Sequence, residues 1–380
     1  MDQHSAFEPD AAEEDDLVRL VTRDGARTDT HPEYAARVAH LDTDALRDMY
    51  KDMSLVRRFD VEATSLQRQG ELGLYPQSLG QEGVQIGAAH ALATQDYVFP
   101  SYREHGIAHV RGVRMSNLLR QFRGIDHGGW DVQEHNFHLY TLVIGSHALH
   151  ATGYAMGVQR DGLVGTGDST RDTAVVACFG DGATSQGDIN EALVFAAVNN
   201  APVVFLCQNN QWAISEPTAR QTRVPLYQRG LGFGIPSVRV DGNDALASHA
   251  VMSEALERAR SGGGPTFVEA YTYRMGAHTT SDDPTRYRSR AQEDYWRERD
   301  PIDRVRLLLE REGGWDDAFA AAVTAAGDEL GETLRADVRA MEAPAPESMF
   351  DHAYASENAV VTAEREWHAQ YEASFEEAAR

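Results

Sequence analysis

Two polar segments in the middle of the chain have the residue types of a cation and phosphate site. Asp181, flanked by Gly180 and Gly182, follows the apolar run 173–179, and Asn210 follows a second such run. Carboxylate and amide oxygens are ligands that Mg²⁺ accepts, and substrate phosphates and water usually complete its coordination. Glycines permit a tight turn and a close backbone approach to an anion, which the N-terminus of a following helix would also attract. The residues therefore predict a Mg²⁺-diphosphate site.

Strands and helices alternate around these residues. The runs 173–179 and 202–207 have the continuous apolar character of parallel strands that are covered on both faces. Between them, residues 187–198 have helical spacing, with Ile189, Leu193, Val194 and Ala197 on one face, so the unit is a right-handed βαβ crossover. The same pattern recurs as a strand, a helix and a strand over 237–240, 244–260 and 266–273. We therefore predict an α/β fold, a doubly wound parallel sheet with helices on both faces, in which Asp181 and Asn210 meet at one sheet edge.

The flanking segments differ from this α/β region in composition. Residues 1–40 form a predicted acidic N-terminal arm, mobile over residues 1–30. From Asp42 to about Gln69 the apolar spacing predicts an amphipathic helix. We place the α/β domain at 41–315 and a helical C-terminal extension, rich in Ala and Glu, at 316–380.

Charge excludes two classes of partner. The chain has 35 Lys+Arg against 59 Asp+Glu, a formal net charge of −24. Such a chain repels nucleic acid and anionic membrane surfaces. Because Lys51 is the only lysine, the composition suits either a cytoplasm at very high salt or an ordinary acidic protein from a GC-rich genome.

The same composition predicts a cytoplasmic protein with buried thiols. No apolar stretch reaches the length needed to span a bilayer, and the acidic N-terminus has no secretory-signal pattern. Cys178 and Cys207 each lie in an apolar run, and the chain contains no CxxC motif. We therefore expect two buried free thiols.

Longer segments around the polar residues resemble a known family. Residues 180–192, GDGATSQGDINEA, and 207–215, CQNNQWAIS, resemble the thiamine diphosphate motif of the α subunit of the decarboxylating component of 2-oxo acid dehydrogenase complexes. Residues 101–106, SYREHG, resemble the diphosphate-binding segment of that family, and 273–283, YRMGAHTTSDD, resemble its active-site loop. The segment 238–244, VRVDGND, also matches. The resemblance covers roughly residues 40–350.

This resemblance implies a site residue by residue. Asp181, Asn210 and the backbone carbonyl of Trp212 would bind Mg²⁺. The cofactor would also contact four further positions, the side chains of Tyr102 and Arg103 and the backbone amides of Gly182 and Ala183. Arg103 would act through a guanidinium–phosphate fork and is counted, with His278, among the catalytic residues.

Other positions follow less directly. His278 would bind the diphosphate and help to stabilise intermediates or to pass on the acyl group. Ile144 aligns with the segment that meets the aminopyrimidine ring, and the alternative for this residue is core packing. His135 and His138 are left unassigned. Thr279 stands where kinase-regulated relatives have serine, and an ordinary loop threonine is the preferred interpretation.

The activity implied by the resemblance is thiamine diphosphate-dependent oxidative decarboxylation of a 2-oxo acid, with acyl transfer to the lipoyl group of an acyltransferase. In this family the catalytic glutamate belongs to a β subunit that carries the pyrimidine-binding domain. We therefore expect a chain that is inactive alone, two α and two β subunits in the assembly, and a dihydrolipoyl dehydrogenase component as a further partner.

Several alternatives stay open from the sequence. The active-site loop leans toward branched-chain 2-oxo acids, with pyruvate close behind. An acetoin dehydrogenase α subunit would share the same motifs. A regulatory or scaffolding subunit is disfavoured because Asp181, Asn210 and His278 are all present. An NAD-binding enzyme is disfavoured because no GxGxxG segment follows the first strand.

Overall fold

A parallel sheet of five strands, in the order β1-β2-β3-β7-β6, organises the chain in a computed structural model that describes residues 16–378, with side chains through Phe375. A short antiparallel hairpin, β4–β5, follows β3. The strands are β1 (Tyr97–Phe99), β2 (Val175–Gly180), β3 (Val203–Asn209), β4 (Trp212–Ala213), β5 (Glu216–Pro217), β6 (Ser237–Asp241) and β7 (Thr266–Tyr271). The doubly wound parallel sheet is therefore confirmed.

Helices connect and cover these strands. In chain order they are α1 (Pro32–Val38), α2 (Thr43–Arg68), α3 (Glu82–Ala91), α4 (His105–Val110), α5 (Met115–Arg123), α6 (Val132–His135), α7 (Ser146–Arg160), α8 (Gly187–Asn199), α9 (Thr218–Gln221), α10 (Tyr227–Gly232), α11 (Ala245–Arg260), α12 (Arg290–Arg297), α13 (Pro301–Arg311), α14 (Asp317–Ala340) and α15 (Ala359–Ala378). Within residues 16–378, no helix is both long and apolar enough to cross a membrane.

The sheet separates two hydrophobic cores, because successive strand residues point to opposite faces. On one face, Val176, Cys178 and Val204 pack with residues of α2, α3 and α11. On the other, Phe179 and Phe205 pack with residues of α7 and α8, together with Val175, Ala177, Val203, Cys207 and Phe267. Both cysteines are buried and free, as predicted.

The register of β2 and β3 determines where the polar residues lie. Gly180 at the end of β2 stands opposite Gln208 near the end of β3. Asp181 follows β2 immediately, in a short 3₁₀ turn over Asp181–Ser185, and Asn210 follows β3. The prediction that the two residues reach the same sheet edge is therefore confirmed.

Two helices test the periodicity arguments. The helix predicted from Asp42 begins at Thr43, and the Asp42 carboxylate caps it by accepting a hydrogen bond from the Ala45 amide over 3.0 Å. The helix predicted over 187–198 is α8, and its buried residues include Ile189 and Leu193, with Ala192 and Ala196. Val194 was predicted on the buried face, which is wrong: it is 37% exposed because it lies about 100° around the helix from Leu193.

The predicted N-terminal arm also needs correction. Its first 15 residues lie outside the described range, but residues 17–21 pack on the sheet and α1 follows them. Val18 forms a parallel bridge with Val240 on β6, and the amides of Leu20 and Val21 donate to the Asp244 carboxylate over 2.8 and 2.6 Å. This short apolar run thus covers a sheet edge instead of extending as a free arm. The C-terminal region contains the helices α14 and α15.

Candidate active site

A cavity of about 270 Å³ opens at the carboxyl edge of β2 and β3. Every residue that the sequence predicted for the site lines it: Tyr102, Arg103, Ile144, Asp181, Gly182, Ala183, Asn210, Trp212 and His278. The fold brings these residues together from five separate chain segments. The cavity lies at the carboxyl ends of the strands, which is where a ligand is expected to bind in an open parallel sheet.

Asp181 is the buried acid at the floor of this cavity and is 1% exposed. Its carboxylate accepts hydrogen bonds from Gln221 Nε2 over 2.7 Å and from Thr218 Oγ1 over 3.4 Å. Burial raises the pKa of this carboxyl, and no ion pair neutralises it within residues 16–378. A buried carboxylate with only neutral partners suits a bound cation.

Asn210 and Trp212 offer the neutral oxygens for such a cation. Asn210 Oδ1 accepts a hydrogen bond from the Trp212 amide over 3.2 Å, and the Trp212 carbonyl accepts one from Arg274 Nη1 over 2.9 Å. Each oxygen has a second lone pair. Among the described residues, no group of three His, Cys, Asp or Glu side chains could hold a metal ion. A cation at Asp181 would therefore need these neutral oxygens, together with ligand oxygens.

Gly182 lets the backbone pass close to the hairpin. A Cβ atom at this position would lie 2.8 Å from the Ala213 Cβ, which is closer than side-chain carbons approach. Glycine is therefore required here by close packing, and its backbone stays on the cavity wall beside Ala183.

Arg103 and His278 meet on the opposite wall. Arg103 Nη2 donates to the His278 carbonyl oxygen over 3.0 Å and lies 3.3 Å from His278 Nδ1. Arg103 Nη1 donates to the Gln77 carbonyl oxygen. The guanidinium lies 5.4 Å from the centre of the Tyr102 ring, and Arg103 is only 6% exposed. The arginine is thus held in place before any ligand binds.

This wall of the cavity is positively charged, although the chain as a whole is acidic. Burial, followed by the charges of Arg103 and Arg274, lowers the pKa of His278 to about 3. Burial and the neighbouring Arg103 also lower the pKa of Arg274 to about 10. Both guanidinium groups lie close to the neutral His278 imidazole, so this wall is positive, and Arg103, which lines the cavity, can bind a phosphate.

Sequence reasoning missed Arg274, although it lies in the loop segment 273–283. This arginine is fully buried and also donates to the Ile214 carbonyl and the Tyr287 hydroxyl, each over 2.9 Å. The Tyr287 hydroxyl and the His278 amide both donate to Asp282 Oδ2. The network fixes the loop that carries His278.

The cavity is also lined by polar residues that sequence reasoning missed, among them Gln81, Glu104, His147 and Gln208. Glu104 accepts hydrogen bonds from the Ser101 amide over 2.8 Å and from Gln208 Nε2 over 2.7 Å. His147 Nε2 lies 2.5 Å from the Cys178 carbonyl oxygen and therefore carries the proton, while Nδ1 has no described partner. Of these, Glu104, inside the segment 101–106, and Gln208, inside the segment 207–215, could have been found from a motif.

The remaining candidate residues differ in whether they line the cavity. Ile144 is 40% exposed on the cavity wall, which excludes the core-packing alternative. His135 contacts the Arg111 carbonyl and His138 contacts the Tyr97 hydroxyl, and neither lines the cavity. Thr279 accepts a hydrogen bond from the Ser281 amide within its own loop.

Comparison with known proteins identifies the family. Residues 50–342, most of the chain, match the family model described as "Dehydrogenase E1 component". The chain belongs to the dehydrogenase E1 component family. The prediction of an E1 α chain, an oxidoreductase, is thereby confirmed. Membership of this family implies thiamine diphosphate as the cofactor and a β subunit as a partner.

Individual relatives of this E1 chain agree over nearly its full length. It is 44% identical over 348 residues to the 3-methyl-2-oxobutanoate dehydrogenase subunit alpha of Mycobacterium tuberculosis, covering 91% of this chain and 90% of the relative. It is 37% identical over 345 residues to the pyruvate dehydrogenase E1 component subunit alpha of Acholeplasma laidlawii, covering 87% and 94%. It is also 37% identical over 318 residues to the mitochondrial 2-oxoisovalerate dehydrogenase subunit alpha 2 of Arabidopsis thaliana, covering 80% and 66%. These names favour a 2-oxo acid dehydrogenase over the acetoin alternative.

Proposed function

We propose that this chain is the α subunit of a branched-chain 2-oxo acid dehydrogenase that binds thiamine diphosphate with Mg²⁺ and passes the acyl product to a lipoyl group. One observation carries the proposal: the residues matched to the cofactor site of the family all line a single cavity at the ends of β2 and β3. The cavity pairs a buried acid with a positive wall, as a metal diphosphate requires.

The residues present fit the two groups. Asp181, Asn210 and the Trp212 carbonyl would hold Mg²⁺, and the buried carboxylate of Asp181 would gain the opposite charge that its described surroundings lack. Tyr102, Arg103 and His278 would contact the diphosphate, with the Gly182 and Ala183 amides on the facing wall. Ile144 would contact the ring portion of the cofactor.

The contributions of this chain to catalysis are binding and orientation. When bound, thiamine diphosphate supplies the nucleophilic carbon and the electron sink for decarboxylation. Arg103 is anchored by Gln77 and His278, so it can bind phosphate with little reorganisation. Because the pKa of His278 is lowered, its imidazole is neutral near pH 7 and can form hydrogen bonds beside the diphosphate.

A partner must supply a proton-transferring acid. Of the described residues that line the cavity, the carboxylates are Asp181 and Glu104. Asp181 is assigned to the metal, and Glu104 is fully engaged by Ser101 and Gln208. This arrangement supports a β subunit that contributes the catalytic glutamate, in an assembly of two α and two β chains with acyltransferase and dihydrolipoyl dehydrogenase components. A cytoplasmic location stays part of this proposal.

The substrate class rests on similarity. The 44% identity to a 3-methyl-2-oxobutanoate dehydrogenase subunit exceeds the 37% identity to a pyruvate dehydrogenase subunit. Branched-chain 2-oxo acids are therefore the proposed substrates, with pyruvate as the second candidate.

Cofactor binding tests the site. The chain, purified with its β partner, should be thermally stabilised by thiamine diphosphate plus Mg²⁺ but not by NAD. Asp181→Asn should abolish this shift, whereas Glu191→Gln, which removes an exposed carboxylate on α8, should retain it. A shift that persists in the Asp181 variant would show that the metal assignment is wrong.

Turnover tests the substrate and the split site. With the β chain supplied, the rate on 3-methyl-2-oxobutanoate should exceed the rate on pyruvate, and the lone α chain should be inactive. A higher rate on pyruvate would reassign the substrate. Robust decarboxylation by the lone chain would contradict the need for a β subunit.

A further inference from the structure

Gln81 is a buried amide beside the proposed metal ligands to which no role has been given above. It immediately precedes α3, lines the cavity and is 1% exposed. Its Oε1 accepts a hydrogen bond from Asn210 Nδ2 over 3.1 Å. Its Nε2 is buried and has no hydrogen-bond partner among the described residues. The residue therefore carries an unused donor, closed off from solvent, beside a ligand cavity.

The neighbouring backbone determines which end of the Gln81 amide is unpaired. The Trp212 amide N–H lies 3.2 Å from Asn210 Oδ1, and only an oxygen can accept that hydrogen bond. Asn210 must therefore direct Nδ2 toward Gln81, and Gln81 Oε1 must accept the hydrogen bond from it. A flipped Gln81 would place two N–H₂ groups against each other. The unpaired atom is thus Nε2, a donor, in the only orientation that these contacts allow.

Gln81 is also held rigidly by its chain neighbours. Gly80 has a φ of +95°, and a Cβ there would lie 2.3 Å from the Tyr273 carbonyl oxygen. Glu82 accepts a hydrogen bond from the Gly80 amide over 2.9 Å and pairs with Arg57 Nε over 2.6 Å. Both sides of Gln81 are therefore fixed, so its side chain is positioned in advance.

A buried unpaired donor is unfavourable unless a ligand uses it. The cavity wall at Gln81 adjoins Asn210, which belongs to the end proposed for the metal diphosphate. A phosphate oxygen is a strong acceptor, and a neutral amide donor can bind it without adding another positive charge. We infer that Gln81 is a binding and positioning residue: its Oε1 orients Asn210 toward Mg²⁺, and its Nε2 donates a hydrogen bond to a diphosphate oxygen. This inference rests on the proposed function.

Two substitutions separate the donor role from the orienting role. Gln81→Met removes both, whereas Gln81→Glu keeps an oxygen acceptor for Asn210 and replaces the donor with a negative charge. In calorimetric titrations of thiamine diphosphate with MgCl₂ into the α chain bound to its β partner, Gln81→Met should weaken binding about ten-fold. Gln81→Glu should weaken it further at pH 8, and the loss should shrink toward pH 5.5 as the new carboxyl gains a proton to donate. Gln133→Met, an exposed change on α6, should bind like the wild type.

The outcomes are distinguishable. Wild-type affinity in Gln81→Glu at pH 8, with weak binding in Gln81→Met, would show that Gln81 only orients Asn210 and would overturn the donor role. Wild-type affinity in both variants would overturn the whole inference. Failure of the wild type itself to bind thiamine diphosphate with Mg²⁺ would contradict the proposed function, and the inference with it. Because Gln81→Glu is nearly isosteric, its binding can be measured even if Gln81→Met does not fold.

Discussion

The buried guanidinium of Arg274 donates a hydrogen bond over 2.9 Å to the backbone carbonyl oxygen of Trp212. This contact joins the segment after β7, which leads to His278, to the hairpin after β3. The two walls of the cavity are therefore linked through one side chain, and the loop and the proposed metal site should respond together when that side chain changes.

Replacing Arg274 tests this link. Arg274→Met leaves the Trp212 and Ile214 carbonyls and the Tyr287 hydroxyl without their donor, so the free energy of unfolding should fall by about 3 kcal/mol. Urea denaturation measures the change. Arg290→Met, at a side chain that is 92% exposed, should change it by less than about 0.5 kcal/mol. Equal losses in the two variants would contradict the link.

A methyl group at Gly182 should disturb the cavity wall. Its Cβ would lie 2.8 Å from the Ala213 Cβ, so Gly182→Ala should cost about 1–3 kcal/mol and weaken cofactor binding. The matched control is Gly187→Ala at the start of α8, where an added Cβ meets nothing within 4 Å. Thermal unfolding and cofactor titration of both variants compare them. A silent Gly182→Ala would mean that the hairpin can move aside without loss.

Asp60 should stabilise the folded protein more at acidic pH than at neutral pH. The residue is 2% exposed and accepts hydrogen bonds from the Tyr75 hydroxyl over 2.5 Å and the Ser78 amide over 2.9 Å. Burial nevertheless raises its pKa to about 7, against about 3.9 in an unfolded chain. The folded state thus binds more protons than the unfolded state between these values, and this contribution to stability falls as the pH rises from 4 to 7.

Asp60→Asn removes that titration. Between pH 5 and pH 7.5 the wild type should lose about 2 kcal/mol of unfolding free energy relative to the variant. Urea denaturation at the two pH values measures the difference. Asp44→Asn, an exposed change in the same helix, should follow the wild-type profile. Parallel profiles for wild type and Asp60→Asn would show that the carboxyl titrates normally.

His278 should have the opposite effect on the pH dependence of stability, because its contribution to the free energy of unfolding falls on acidification. Its pKa is lowered to about 3 by burial and by Arg103 and Arg274, whereas an unfolded histidine titrates near about 6.5. The unfolded state then binds more protons between these values, so the contribution of His278 to stability is present above pH 6.5 and is lost as the pH falls.

His278→Gln should therefore lose less stability than the wild type on acidification. From pH 7.5 to pH 5 the difference should be about 1 kcal/mol, after allowance for the partial exposure of the ring. Urea denaturation reports this difference, and cofactor titration at pH 7.5 should show weaker binding in the variant. His352→Gln, on an exposed residue, serves as the control. A wild-type pH profile in His278→Gln would refute the lowered pKa.

The sequence by itself determined the strands β2, β3, β6 and β7, the course of α2 and α8 and the residues of the cavity floor. These features are local: continuous apolar runs mark β2 and β3, helical spacing marks the helices, and Asp181 and Asn210 follow the strands directly. Parallel pairing of neighbouring strands then places both residues at one edge. β1 was missed because its three residues are too short to form a pattern.

Only the tertiary structure decided which buried groups pair. Residues 17–21 cover the sheet because Val18 meets Val240, and Gln81 has a role because Asn210 lies against it. Likewise, Arg274 can be buried because the Trp212 carbonyl oxygen accepts a hydrogen bond from its guanidinium. Such partners lie tens to hundreds of residues apart, where no local periodicity connects them. Their hydrogen bonds exist only after the apolar strands and helices have packed and excluded water.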